Sequence, residues 1–137
     1  MTTTYATDEQ VKLRSVFAAP ALAAVNVARV AAGDSATTLD AYRVEAQAEV
    51  LRRLAARGIA RGDINNPDGL TAAEVAFTLW LLFTAAAGRP NTRNPGAVDL
   101  FAQNAEVWAA AADAEMARAV PVSNTRPAGR SFSWGRG

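Results

Sequence analysis

The chain has neither cysteine nor histidine among its 137 residues. It therefore offers no thiol nucleophile, no thiolate or imidazole metal ligand and no histidine general base. It also contains no phosphate-cradling glycine loop and no nucleophile elbow. Its closest carboxylate pair on one helix face, Glu45 and Glu49, shares that face with arginines, which is typical of a solvated, ion-paired surface. We therefore expect no enzyme activity, no cofactor and no metal site.

Acidic residues are missing from the end of the chain. All 13 acidic residues and 11 of the 14 basic residues precede position 121, so residues 1–120 carry a net charge of −2 and residues 121–137 carry +3. The whole chain is only +1, which gives no global electrostatic reason to expect nucleic-acid binding. We expect a domain over residues 1–120 and a separate arm over residues 121–137.

A secretory signal is also missing, because Met1 to Glu9 is polar and has no basic region ahead of an apolar run. The most apolar segment is Thr71 to Ala87, which we expect to be the central helix of the fold. Thr71 and Glu74 have capping-box spacing, and Gly88 supplies a stop. Apolar residues run round the whole circumference of this helix, which indicates enclosure by protein. The uncharged run after Glu74 is shorter than the roughly 20 residues that a bilayer needs, so we expect no membrane span.

Four further segments have helical patterns. Thr7 with Gln10 predicts a capping box that opens a helix to about Phe17. Pro20 suits the first position of a half-buried helix that stops before Gly33, and the alternative is one continuous helix kinked at Pro20. Thr37 with Asp40 offers a weaker cap for the third segment.

The third segment, Thr38 to Arg57, has an apolar stripe for a core and ends at Gly58 with Ile59 folded back over its last turn. The last segment, Ala97 to about Val120, has a second seam and is broken by Pro121. The stripe consists of Leu39, Tyr42, Ala46, Val50 and Leu54, and the seam of Val98, Phe101, Ala105, Trp108, Ala112, either Glu115 or Met116, and Ala119. The chain therefore predicts an all-α bundle around a buried central helix at about 71–87.

The loop before the central helix resembles a calcium-binding loop in spacing only. Asp63, Asn65 and Glu74 fit ligand positions 1, 3 and 12 of an EF-hand. Position 5 is Pro67, which has no ligand atom, and position 6 is Asp68 where the EF-hand needs glycine. We interpret the segment as an ordinary Asn-Pro-Asp-Gly turn that does not bind calcium.

The arm has two large aromatic residues, Phe132 and Trp134, among glycines, serines and the arginines Arg126, Arg130 and Arg136. One interpretation is a frayed chain end. The other is an extended arm that orders on a partner, with the aromatics as anchors and the arginines facing carboxylate or phosphate groups. Alternate residues of an extended chain point to opposite sides, so the two aromatics would share one face.

The order of segments resembles the small helical adaptor proteins of tailed bacteriophages, also called head-to-tail connector or head-completion proteins. The resemblance lies in the lead Tyr5-Ala6-Thr7 into a first helix and in the segment Glu45 to Leu54, similar to the family's second helix. An apolar third helix, a long fourth helix and a C-terminal arm complete it. The segment Pro20 to Ala32 is additional to the family pattern.

The resemblance implies a structural protein made in the host cytoplasm and resident at the head-to-tail junction of the virion. Such proteins form a ring, commonly a dodecamer, that docks under the portal protein, continues the DNA channel and contacts other neck or tail proteins. The C-terminal arm would grip the portal, and contact with packaged DNA would be non-specific. The alternative is a helical DNA-binding module such as a small terminase subunit or regulator. That class needs several basic or amide side chains on one helix face, whereas here the basic residues are interleaved with acids.

Overall fold

A computed structural model describes residues 4–88 and 95–122, and describes side chains in the second range from Asp99 onward. These residues form an all-α domain, as predicted, and no strand occurs among them. The five α-helices are α1 (Asp8–Arg14), α2 (Ala18–Ala31), α3 (Leu39–Ala56), α4 (Thr71–Ala87) and α5 (Pro95–Arg118). Two 3₁₀ helices, Arg61–Asp63 and Pro67–Leu70, lie between α3 and α4.

Helix α4 lies at the centre of the domain and packs against each of the other four α-helices. Seven consecutive residues, from Ala73 to Leu79, are buried, so every side of this part of the helix is covered. Leu82, Phe83 and Ala86 continue the buried surface toward its C-terminus. Because seven successive residues cover nearly two helical turns, only a helix surrounded by protein shows such a run. The prediction of an enclosed central helix is confirmed.

The segment Pro67–Ala87, which joins the second 3₁₀ helix to α4, is long and apolar enough to cross a membrane by length and composition. Helices α1 and α2 meet the same test only if they are taken together as one span, and they are bent by 111° at their break. Within Pro67–Ala87, 61% of the 18-residue apolar stretch that could span a membrane is buried inside the domain. Core helices of globular proteins meet this test as well, and the packing of α4 is that of a core helix.

Helix α3 has the predicted seam, and so does α5 from Asp99 onward, while the side chain of Val98 lies outside the described residues. Leu39, Ala46, Val50 and Leu54 of α3 are buried and Tyr42 is half-buried, while Phe101, Ala112 and Met116 of α5 are buried. At the end of α3, the N–H of Ile59 donates to the carbonyl of Leu54 at 2.9 Å, and Gly58 has a φ of 83°. This is the predicted fold-back, in which glycine takes the left-handed conformation that other residues avoid.

The turn between α1 and α2 differs from the prediction. Helix α1 ends at Arg14 rather than near Phe17, because Ser15 is extended and its Oγ accepts from the N–H of Phe17. Helix α2 then begins at Ala18, so Pro20 is its third residue and not its first. Proline is tolerated there because the first N–H groups of a helix have no partner in the helix. The two helices are separate, as the main prediction had it, and the capping box of Thr7 and Gln10 is confirmed.

The cap of α3 also differs from the prediction, by one residue. Thr38 is the N-cap and accepts from the N–H of Ala41, whereas Thr37 is held by the side chain of Asn26 in α2. Asn26 donates to the carbonyl of Thr37 at 3.0 Å and accepts from its N–H at 2.7 Å. These two hydrogen bonds fix the α2–α3 connection. Thr37 is therefore bound to α2 and does not cap α3.

The predicted capping box of α4 is wrong. Leu70 occupies the N-cap position without a side-chain hydrogen bond, because the second 3₁₀ helix runs directly into α4. Thr71 instead donates its hydroxyl to the carbonyl of Tyr5 at 3.1 Å. Glu74 is fully buried and accepts from the backbone N–H groups of Tyr5 and Ala6. Both residues thus hold the N-terminal segment against α4.

Candidate interaction surfaces

The five arm residues predicted to bind a partner lie outside the described residues. They are Arg126, Arg130, Phe132, Trp134 and Arg136. The structure does describe the residues that lead into them. The prediction for the arm itself therefore stays a prediction.

The chain that leads to the arm is fixed to the turn before α4. The side-chain amide of Asn66 donates to the carbonyl of Val120 at 2.7 Å, and its backbone N–H donates to the carbonyl of Pro121 at 3.0 Å. At Gly69, an added Cβ would lie 2.3 Å from the carbonyl oxygen of Val120. The two backbones can approach this closely only because Gly69 has no side chain. Pro121 is buried, so the contacts of the domain extend one residue past the predicted boundary at 120.

A mostly apolar groove of about 380 Å³ lies beside this turn. Its lining residues come from α1, the second 3₁₀ helix and the first turn of α4: Gln10, Leu13, Arg14, Asp68, Thr71, Ala72 and Val75. Leu13 is 83% exposed, the highest value among the described large apolar residues. Arg14 lies over the ring of Trp108 at 5.6 Å, so a guanidinium already stacked on one aromatic ring stands at the edge of the groove.

Helix α2 has an apolar outward face. Pro20, Ala23, Val27 and Val30 are all exposed and follow one another at spacings of three and four residues. Val27 is 68% exposed and Val30 is 61% exposed. Alternating spacings of three and four residues place side chains in one row, as in the seam where two helices pack. The sequence predicted a half-buried helix, and its exposed half is apolar rather than polar.

Helix α5 has a second outward row with the same spacing. Its members are all exposed: Leu100, Gln103, Val107, Ala110, Ala114 and Ala117. Val107 is 60% exposed, and three of the other members are alanines, which allow a partner to approach closely. Around the row, the helix from Asp99 to Arg118 carries four acidic residues and one arginine. Helix α2 carries a single charge, that of Arg29, so the two helices differ in the sign of their net charge.

Among the described residues, Glu74 is the one carboxylic acid that is fully buried. Its contacts give it a structural role. Its two oxygens accept from Tyr5 N–H at 3.1 Å and from Ala6 N–H at 2.9 Å. Burial raises the pKa of Glu74, and these two hydrogen bonds and the charge of Arg43 act against that rise. Arg43 in turn donates to the carbonyl of Ala6 at 2.8 Å and to Asp8 at 2.7 Å. The carboxylate therefore joins the N-terminal segment to the central helix.

The same contacts bear on the calcium-like spacing. Glu74, the twelfth position of that pattern, turns its carboxylate to Tyr5 and Ala6 and away from the loop. Asp63, the first position, accepts from the N–H of Ala60 at 3.1 Å. Among the residues that the structure describes, no three acidic side chains come together as a metal site would require. Five of the other described acids form ion pairs, namely Asp8, Asp40, Glu49, Asp113 and Glu115, and the Glu49–Arg53 distance is 2.9 Å.

No family model, curated protein or solved structure matches this chain. The two outward rows were missed in the sequence, although their signal was present. In α2 it is the row Pro20, Ala23, Val27 and Val30, whose four members are all apolar. The groove could not have been found in this way, because its residues come from three segments that only the fold brings together.

Proposed function

We propose that this protein is a structural subunit of a tailed-phage virion, an adaptor that forms a ring between the portal and the tail or neck. The observation that carries the proposal is the pair of unlike apolar rows on the outward faces of α2 and α5. Exposed apolar surface at helical spacing is typical of protein–protein contact. The resemblance to the adaptor family supplies the portal, the neck and the DNA channel.

The occupant of each row, in this proposal, is a second copy of the chain. The α2 row of one subunit packs against the α5 row of the next, and the single positive charge of α2 is opposite in sign to the net charge of α5 from Asp99 to Arg118. Two different patches that bind each other form a head-to-tail contact, and such a contact closes into a ring when its rotation allows. Both rows then become buried in the assembly.

The C-terminal arm has the second role in the proposal, which is attachment to the portal. Phe132 and Trp134 supply apolar anchors, and Arg126, Arg130 and Arg136 favour an acidic or hydrogen-bond-accepting surface. Interfaces concentrate their binding energy in a few aromatic and arginine residues, and this segment is rich in both. The chain needs no catalytic residue for either role.

The experiment measures the particle mass of the purified protein alone and with portal protein, followed by attachment to portal-bearing heads. We expect a ring-sized particle in the presence of portal and attachment that is lost when residues 126–137 are deleted. Trp134→Ala alone should weaken attachment. Attachment that survives the deletion would move the interface onto the helices and exclude the arm as the anchor.

DNA binding distinguishes the proposal from the regulator or small-terminase alternative. A channel-lining protein should bind duplex DNA weakly, without sequence preference and with strong salt dependence. Sequence-selective binding at about nanomolar concentration and physiological salt would instead identify a DNA-recognition module and contradict the proposal. A protein that stays monomeric and does not bind portal would also contradict it.

A further inference from the structure

We propose that the groove beside the Asn66–Gly69 turn is the docking site of the chain's own C-terminal segment, with Phe132 and Trp134 as the docked side chains. The proposal does not depend on the adaptor function, because it concerns the isolated subunit. The observations that carry it are the position of the last described residues, the lining of the groove and the composition of the segment.

Position comes first. Val120 and Pro121 are hydrogen-bonded to Asn66, and Gly69 packs against the carbonyl of Val120. Asp68, which lies between these two contacts in sequence, lines the groove. The chain therefore leaves the domain next to one wall of the groove. Phe132 follows Val122 by ten residues, which can span up to about 33 Å when extended, so reach does not limit docking.

The lining matches the segment in chemistry. Leu13 and Ala72 provide exposed apolar surface beside the buried Val75, and a highly exposed leucine in a concave site gains from an apolar partner. The volume of about 380 Å³ lies within the roughly 300–1,000 Å³ range of pockets that enclose small ligands, which admits a large aromatic side chain. The edge residue Arg14 already stacks on Trp108, and its other face can stack on a second ring.

The charges of the groove and of the C-terminal segment are also complementary. Asp68 is exposed at the groove and forms no ion pair within residues 4–88 and 99–122. The C-terminal segment carries three arginines and no acid, and Arg130 stands two residues before Phe132. An arginine can form a two-pronged hydrogen bond with a carboxylate, so Arg130 is a suitable partner for Asp68.

The subunit's own segment has an advantage over a separate molecule. Because it is tethered at Pro121, its effective concentration at the groove is about millimolar, the value typical of two binding groups joined by a short stretch of chain. A second copy at micromolar concentration cannot compete with that. The segment is therefore held by its own domain until a partner with a better site for Phe132 and Trp134 displaces it.

The test uses the full chain labelled with 5-fluorotryptophan and observed by ¹⁹F NMR. Three resonances are expected, for Trp80, Trp108 and Trp134, and Trp134→Phe identifies the third. Its chemical shift is compared with that of a synthetic peptide of residues 123–137 carrying the same label. Ala72→Arg places a long cation in the groove, and Ala48→Arg, on an exposed position of α3, is the matched control. Circular dichroism checks that each variant folds.

We expect the Trp134 resonance of the full chain to differ from that of the peptide, to move to the peptide value in Ala72→Arg, and to be unchanged in Ala48→Arg. Asp68→Asn should move it part of the way. Trypsin cleavage after Arg130 should become about tenfold faster in Ala72→Arg, because cleavage follows the undocked population.

Three results would overturn the proposal. The Trp134 resonance of the full chain could coincide with that of the peptide, which would mean no docking. It could keep its shift in Ala72→Arg, which would place the docking site elsewhere. It could also move toward the peptide value on dilution, which would mean that the segment occupies the groove of another copy. None of these results bears on portal attachment, so the adaptor function stands or falls separately.

Discussion

The carboxylate of Glu74 accepts a hydrogen bond from the backbone N–H of Ala6 at 2.9 Å, across 68 positions of sequence. The second oxygen accepts from Tyr5, and the neighbouring Thr71 donates to the carbonyl of Tyr5. The central helix therefore binds three backbone groups of the N-terminal segment through two of its own side chains. The bond to Ala6 is buried and the two bonds to Tyr5 are partly buried, and an N–H left unpaired away from water is costly.

Replacing Glu74 with alanine should destabilise the domain. The buried N–H of Ala6 would lose its acceptor at a cost of about 1 to 3 kcal/mol, and the partly buried N–H of Tyr5 would add less, so we expect a loss of about 1 to 5 kcal/mol. Urea unfolding followed by circular dichroism measures it. The control is Glu45→Ala, which removes an exposed acid of α3 and should change stability by no more than about 0.5 kcal/mol. Equal effects of the two variants would show that the Glu74 contacts contribute nothing.

The pH dependence of stability should change in Glu74→Gln. Burial raises the pKa of Glu74 in the folded state above its ordinary value of 4.5, so the folded protein binds this proton more tightly than the unfolded chain does. The contribution of Glu74 to stability is therefore largest below pH 4.5 and falls as pH rises through the folded pKa. Glutamine does not titrate, so the stability difference, wild type minus Glu74→Gln, should fall over this window.

Unfolding free energies of both proteins, measured from about pH 4 to about pH 7, test this sign. Glu49 contributes in the opposite direction, because hydrogen bonding to Arg52, with Arg53 contributing, lowers its pKa. That contribution is shared by the two proteins and cancels in the difference. A difference that rises with pH would mean that the hydrogen bonds outweigh burial at Glu74.

Truncation of Leu82 tests the central position of α4. Leu82 is fully buried, so Leu82→Ala should remove apolar contacts and leave a cavity, at a cost of about 2 to 5 kcal/mol. Leu13→Ala is the matched control, since the same atoms are removed from a side chain that is 83% exposed. Denaturant unfolding compares the two. Similar small losses in both would place Leu82 outside a packed core.

The sequence predicted the helices better than it predicted the contacts between them. The boundaries of α4 follow from its apolar residues and from Gly88, and the structure reproduces Thr71–Ala87. The role of Glu74 was assigned to a local capping box, because the spacing from Thr71 is the only signal that a local pattern contains. Its true partners, Tyr5 and Ala6, are 69 and 68 positions away, and only packing brings them to the helix. The groove is hidden in the sequence for the same reason.

Substitution of Gly69 should destabilise the domain, although Gly69 does not have the positive φ that favours glycine. A Cβ at this position would lie 2.3 Å from the carbonyl oxygen of Val120, and a backbone atom cannot move aside as a flexible side chain would. Gly69→Ala should therefore cost about 1 to 3 kcal/mol, typical of overpacking, and loosen the contact between Asn66 and Pro121. Thermal unfolding and amide exchange of Asn66 measure both effects.

Gly62→Ala is the control for that variant. An added Cβ at Gly62 meets nothing within 4 Å, and the residue lies in a 3₁₀ helix without a positive φ. Alanine should be neutral there or stabilise by up to about 1 kcal/mol, because it restricts the unfolded chain. If the two variants change stability by the same amount, the close approach of Gly69 to Val120 does not constrain the chain that follows α5.

The two outward rows predict a specific pattern of assembly. Val27→Glu places a charge in the α2 row, and Val107→Glu places one in the α5 row, each at a position that is exposed in the subunit. Burying an unpaired carboxylate in a contact is costly, so each variant alone should be monomeric while remaining as helical as the wild type.

In a mixture, the intact α2 row of the Val107→Glu subunit meets the intact α5 row of the Val27→Glu subunit. A head-to-tail contact therefore predicts a 1:1 pair that grows no further, because the two remaining rows are both charged.

Analytical ultracentrifugation of each variant and of the mixture measures this, with Ala36→Glu, in the exposed connection before α3, as the control that should assemble like the wild type. If like rows paired with each other, the outcome would differ, since the Val107→Glu protein would still dimerise through α2 and the mixture would contain no 1:1 pair. If both single variants assembled normally, neither row would be a subunit contact. The mixture thus separates a ring-forming contact from a two-fold dimer, because only two unlike surfaces restore a single contact when each partner supplies one intact surface.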